Sequence, residues 1–302
     1  MKKHSSMALV VFAVCMVSYS GPMVKGALNE GASPISVALL RMLAAALLML
    51  PYEARQCVRR RIPMKLTPAQ WGLTALAAAF LAAHYITWIT SLTGTSTFAS
   101  VALVCTQPLF VAFFSYVLFH ERTPRRALPG ALLALLGAVT IALSGLSGQE
   151  AQATGQEALR SNLLALAGAV LMAAHWLAGR QIRQTLAAEV YTPVLYLITA
   201  LLLALCLPLS GGFRMPLSAL PYMAGLVIGS TLLGHAVFAY ALSGVSANVI
   251  SFALLGEPVG AMIFSMIFFG EVPTWPVALG GLLTLMGLAL YLAFAGEEKQ
   301  PA

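Results

Sequence analysis

Of the 302 residues, 60% are hydrophobic and 9% are charged, against about 45–50% and about 25% in soluble domains. A soluble core of this length cannot hide so much apolar surface, so lipid must be the solvent for much of it. The formal charge of +7 does not point to nucleic acid, because the Lys and Arg residues sit in short loops between apolar runs.

A spanning helix needs about 20 residues, and ten segments qualify. The first predicted span, 7–26, follows Lys2 and Lys3. Its Ser18-Tyr19-Ser20 could pass for a signal-peptidase site, but the repeat described below requires this segment as a first helix. The turn signal Gly31-Ala32-Ser33-Pro34 introduces the second span, 34–51, and the basic stretch 52–68 follows as a loop. Nothing from Leu66 to His120 carries Asp, Glu, Lys or Arg. That stretch therefore holds two spans, 69–92 and 97–119, around Gly94-Thr95-Ser96. A fifth span covers 127–145. The second half gives 162–181, 192–209, 219–242, 247–269 and 276–295, with turns at Ser210-Gly211-Gly212 and Val272-Pro273-Thr274. The cysteines (Cys15, Cys57, Cys105 and Cys206) have no CxxC or Cys/His spacing and read as reduced fillers, with neither disulfide nor metal.

Orientation follows from the Lys/Arg asymmetry. With the N-terminus inside, the inner loops hold Arg55, Arg59, Arg60, Arg61, Lys65, Arg122, Arg125, Arg126, Arg180 and Arg183, while the outer side receives Lys25, Arg160 and Arg214. Both termini are expected to be cytoplasmic, which an even count of ten satisfies.

The two halves match at an offset of 150. Pro108 pairs with Pro258, Glu121 with Glu271, Gly94 with Gly244, Ser96 with Ser246, Gly130 with Gly280 and Gly137 with Gly287. Upstream the offset grows by about nine, so that Pro34 pairs with Pro193. Five helices is an odd number, so the second copy enters the membrane upside down. The expected fold is all-α, a 5+5 inverted repeat with repeats at 7–145 and 162–295, as secondary transporters use to give two-sided access to a midplane site.

Several strings carry a resemblance. They are His84-Tyr85-Ile86-Thr87-Trp88-Ile89-Thr90-Ser91-Leu92 with Thr95-Ser96, Leu103-Val104 through Pro108-Leu109-Phe110-Val111, Gly179-Arg180-Gln181-Ile182-Arg183, Gly234-His235 with Tyr240-Ala241-Leu242, and Leu255-Gly256-Glu257-Pro258-Val259. In these the sequence resembles the EamA-domain permeases of the drug/metabolite transporter superfamily, over roughly residues 7–295. The resemblance implies a ten-helix inverted fold, a central cavity, and export or uptake of metabolites. One departure is visible: Ser18-Tyr19-Ser20-Gly21 stands where many relatives begin with a Trp-Gly pair.

The candidate site residues fall into three groups. His84, Trp88, Ser91 and Thr95 recur at helical spacing on one face of the third span, either lining a cavity or hydrogen-bonding to neighbouring helices. His175 and Trp176 in the sixth span, His235 in the eighth, and Gln107 complete the expected substrate-binding set. Glu257 is the one carboxylate well inside a predicted span, where ionisation is costly, and is the expected coupling residue. Pro108 and Pro258 are expected helix breaks that free the carbonyls of Val104 and Leu254. Arg41 lies about seven residues into the second span, where the resemblance also places an arginine. Two readings of it stand: it snorkels to the outer interface, or it faces an anionic group.

These readings point to a permease of the bacterial-type inner membrane that moves a small organic solute by alternating access. An amino acid, an aromatic metabolite and a lipophilic cation all fit. The alternative is a small-solute channel or membrane scaffold. An enzyme would need a nucleophile–base pair or clustered carboxylates, and direct ATP drive would need a P-loop; the sequence has none of these. No cofactor, metal or nucleic-acid partner is expected; lipid and a small-molecule substrate are, and a homodimer is left open.

Overall fold

The computed structural model describes residues 3–121, 123–144, 155–234 and 254–295. No strand occurs among them. Eight helices are long and apolar enough to cross a membrane, and two shorter apolar helices cover Leu217–Leu233 and Gly256–Phe269. The protein is a multi-pass membrane protein. Part of the eighth and ninth predicted spans lies outside the described residues.

The helices are α1 (Lys3–Ser18), α2 (Ser20–Asn29), α3 (Pro34–Arg60), α4 (Pro68–Ser91), α5 (Thr97–Val104), α6 (Gln107–Phe119), α7 (Leu128–Ser144), α8 (Gly155–Ile182), α9 (Ala188–Leu205), α10 (Leu220–Ala224), α11 (Gly256–Phe269) and α12 (Trp275–Ala295). Between α10 and residue 234 the chain is wound wider, with i→i+5 geometry over Gly225–Gly234, a form concentrated at functional sites.

Local chemistry explains most of the ends. Ser33 caps α3 and Thr67 forms a capping box with Gln70 at the start of α4; Pro34 and Pro68 sit at the first helical position, where a missing N–H costs nothing. The structure corrects the expected loop at 52–68. Helix α3 runs on through an exposed Pro51 to Arg60 and stops at Arg61, which takes φ 54°. Glu53, Ala54, Arg55 and Gln56 are good helix formers, Arg59 and Arg60 suit the negative end of the helix dipole, and Arg60 pairs with Glu189 at 2.7 Å.

Two expected spans are interrupted. The first is divided at Tyr19, between α1 and α2. The fourth divides at Cys105–Thr106, between α5 and α6. Pro108 has no N–H to close a turn onto Val104, and just before it the Thr106 hydroxyl donates to Leu103 O at 2.6 Å. A matching interruption falls at Leu255, just ahead of α11 and Pro258.

Packing is by pairs: α3 on α9, α4 on α8, α7 on α12, α1 on α11 and on the wide-wound segment, and α5 on α11. The α7–α12 seam is the tightest. A Cβ added to Gly137 would lie 2.5 Å from Gly280 O, and one added to Gly130 would lie 2.7 Å from Gly287 O. The backbones touch because glycines spaced seven apart face each other on both helices, the small-residue packing that lipid-embedded helices favour.

Candidate functional site

The centre of the bundle is organised by one basic residue. Arg41, on α3, is 4% exposed. Its Nε donates to Thr231 Oγ1 and its Nη1 to Ser20 Oγ, each at 3.1 Å. The guanidinium lies over the Tyr85 ring at 5.1 Å and the Trp88 ring at 6.0 Å, both on α4. Tyr196 on α9, His84 and Glu257 are within its electrostatic reach. Cys105 lies at the α5–α6 break. Six segments therefore meet here: the start of α2, α3, α4, α9, the wide-wound segment and the start of α11. Of the two readings of Arg41, the structure excludes snorkelling: the side chain turns into the bundle.

The α4 face is held to its neighbours by stacked rings and hydrogen bonds. His84 and Trp88 stack, ring centroids 5.9 Å apart and 14° from parallel. Trp88 Nε1 is buried with no partner among the described residues. His84 Nδ1 donates to Gly168 O on α8 at 2.9 Å. His175, on α8, returns the arrangement by donating from Nδ1 to Ala77 O on α4 at 2.9 Å. A carbonyl can only accept, so each ring carries its Nδ1 proton and Nε2 is left facing other groups. Ser91 Oγ donates to Trp88 O at 2.6 Å and shares a hydrogen bond with Ser100 Oγ at 2.7 Å. Helix α4 ends at Ser91, so Thr95 lies past it in the turn, donating to Asn162 Oδ1 at 2.6 Å.

The remaining candidates are dispersed. Gln107 opens α6, half-buried, two residues after Cys105. Trp176 is 43% exposed, one turn before Arg180. His235 lies outside the described residues. Pro108 and Pro258 follow the two interruptions described above.

Sequence reasoning passed over Ser20, Tyr85, Tyr196 and Thr231, and left Arg41 undecided. The signal for Arg41 was present, since it is the one charged residue in 34–51 and an intramembrane charge is a functional candidate by default. Nothing in the sequence marked Ser20 or Thr231 as its partners.

Glu121 and Glu271, paired in sequence, do different work. Glu271 Oε1 accepts from Thr97 N at 2.7 Å, capping α5 from the turn ahead of α12. Glu121 accepts two hydrogen bonds from Arg180, at 2.6 and 2.9 Å. That guanidinium holds the Glu121 carboxyl below its ordinary range. The pair's small contribution is present above the ordinary carboxylate pKa and lost as pH falls through the lowered value.

The model of the EamA-like transporter family matches the chain twice, over residues 4–143 and 159–293. No curated protein matches significantly. A solved crystal structure with no stated function is similar at a TM-score of 0.63 and 18% identity, over 98% of this chain and 100% of the other. At that identity the likeness speaks for the fold alone.

Proposed function

The chain belongs to the EamA-like transporter family, a family of membrane transporters for small solutes, and from that premise we propose that it is a secondary transporter working by alternating access. The repeats are residues 7–145 and 162–295, inverted with respect to one another, and both termini are cytoplasmic in a bacterial-type inner membrane.

The observation that carries this reading is the buried cluster around Arg41. It joins α2, α3 and α4 of the first half to α9, Thr231 and Glu257 of the second. A site shared between halves is opened to one side or the other by rocking one half against its partner. The helix pairing supports it too. Exchanging the first five spans with the last five returns α3–α9 and α7–α12 to themselves, and sends α4–α8 to the wide-wound segment on α1. Trp88 supplies an aromatic wall to the site, and His84 and His175 hold α4 against α8.

The reading is tested by counterflow. Liposomes preloaded with a substrate should accumulate label against its gradient, and the rate should level off as concentration rises. Linear flux without trans-stimulation would favour a channel instead.

A further inference from the structure

We propose that the transported solute is an organic anion, a carboxylate on a planar apolar body, and that Arg41 takes its carboxylate. The proposal rests on the transporter reading above and gives that site its substrate class.

Arg41 is buried and charged, and no carboxylate among the described residues meets its charge at contact distance. Its two hydrogen-bond partners, Ser20 and Thr231, are hydroxyls, which accept a hydrogen bond without neutralising anything. The ion pairs among the described residues are Arg60–Glu189 and Arg180–Glu121. Glu257 influences Arg41 through space without forming a pair of that kind. A guanidinium has five N–H donors. With Nε and one hydrogen of Nη1 engaged, both hydrogens of Nη2 and one of Nη1 remain. That outer fork is the part of arginine that matches the two oxygens of a carboxylate.

The surroundings select the rest of the molecule. Tyr85 and Trp88 lie against the guanidinium, so a ligand meets Arg41 edge-on, with its body beside aromatic rings. Trp88 Nε1, 6% exposed as a residue, is a second buried donor without a described acceptor. Trp88 Nε1 and the outer edge of the Arg41 guanidinium are donors that a group able only to accept would satisfy. An organic cation would add a second positive charge beside Arg41 and leave both donors unsatisfied. Glu257, at the start of α11, forms no ion pair with Arg41 among the described residues, which leaves the contact position to the solute.

The test uses the purified full-length protein in detergent at neutral pH. Three probes share one aromatic body: phenylacetate, phenylacetamide and protonated phenethylamine. Binding is read as a rise in melting temperature and as a change in tryptophan fluorescence. Phenylacetate should bind at least about tenfold more tightly than the other two, and Arg41→Lys should weaken it by about tenfold or more, since an ammonium lacks the fork. Arg41→Gln should abolish the preference for phenylacetate. Trp88→Phe keeps a ring without an N–H and should weaken phenylacetate severalfold.

Equal or tighter binding of the amide or the amine to the parent protein overturns the proposal. So does the absence of phenylacetate binding, or its full retention in Arg41→Gln. Because the comparison of three probes needs no variant, a failure of Arg41→Gln to fold leaves the question decidable. The transport reading fails separately. Phenylacetate that binds but shows no counterflow would remove the transporter and keep the anion site. Counterflow of phenethylamine with no phenylacetate binding would do the reverse.

Discussion

Replacing Gly137 by alanine should separate two helices that touch through their backbones. The added Cβ would lie 2.5 Å from Gly280 O and from Thr284 Oγ1, and closer still to Thr284 N. Comfortable contact is about 3.5 Å or more, so α7 and α12 must part by roughly 1 Å at that level, which forfeits a quarter to a half of each contact's dispersion energy there. The obstacle is main chain, so no rotamer change relieves it. Overpacking of this kind costs about 1–3 kcal/mol, and the rigidity of the neighbour puts Gly137→Ala toward the upper end. Gly72 on α4 is the control, because a Cβ there meets nothing within 4 Å. Gly72→Ala should gain about 0.5–1 kcal/mol from helix propensity alone. Thermal unfolding in one detergent should therefore place the two variants on opposite sides of the parent. If Gly137→Ala melts at or above Gly72→Ala, the seam is not the close backbone contact described.

Three further outcomes are expected. Glu257→Gln should abolish acceleration of transport by an imposed pH gradient while sparing gradient-free exchange; a variant that responds as the parent does would make Glu257 structural, and a parent with no response would make the protein a facilitator. Glu271→Ala removes the acceptor on Thr97 N and should cost about 0.5–2 kcal/mol with faster amide exchange at the start of α5; Glu271→Gln should recover most of this, and equal loss in both variants would show that the cap is not the cause. Single cysteines at positions 58–62 in a cysteine-free background should label only from the cytoplasmic side and those at 150–157 only from outside; external labelling of 58–62 in intact cells would overturn the orientation.

How much of this was legible depends on the kind of information each residue carries. The apolar helical architecture and the family were readable because charge-free stretches of about 20 residues have few alternatives in lipid. Ends with a chemical signature were readable too, as at Pro34 and Pro68. The extent of α3 was not, because a run such as Arg55–Arg61 looks equally like a basic loop and like the solvated end of a long helix. At the site, the polar face of α4 stood out by period, but period cannot separate a cavity wall from an interhelical bond. The structure ties His84 to Gly168 across helices and leaves Trp88 Nε1 without a partner among the described residues. Arg41 itself was ambiguous for a physical reason. A side chain that long reaches either the interface or the bundle centre, and the choice is made by Ser20 and Thr231, which only the fold brings to it.

The placement of charge separates architecture from mechanism. Under the proposed repeat, Arg41 corresponds to Ala200, from the offset that pairs Pro34 with Pro193, and Glu257 corresponds to Gln107. Each charged member of the central cluster thus has a neutral mirror residue, and Ala200 is buried at 4% exposure. The two charges come from different halves, one on α3 and one on α11. Under the proposed alternating access, rocking one half against the other would change the distance between them, since the ion pairs among the described residues do not include this one. In a low-dielectric interior that distance carries a large energy. In the proposed site a bound carboxylate would meet the Arg41 charge directly and lower the cost of moving Glu257 away. A solute with that effect in only one orientation of the halves shifts their balance by its differential affinity. In the proposed mechanism the repeat supplies the two orientations, and the unmatched pair Arg41 and Glu257 makes them unequal to an anion.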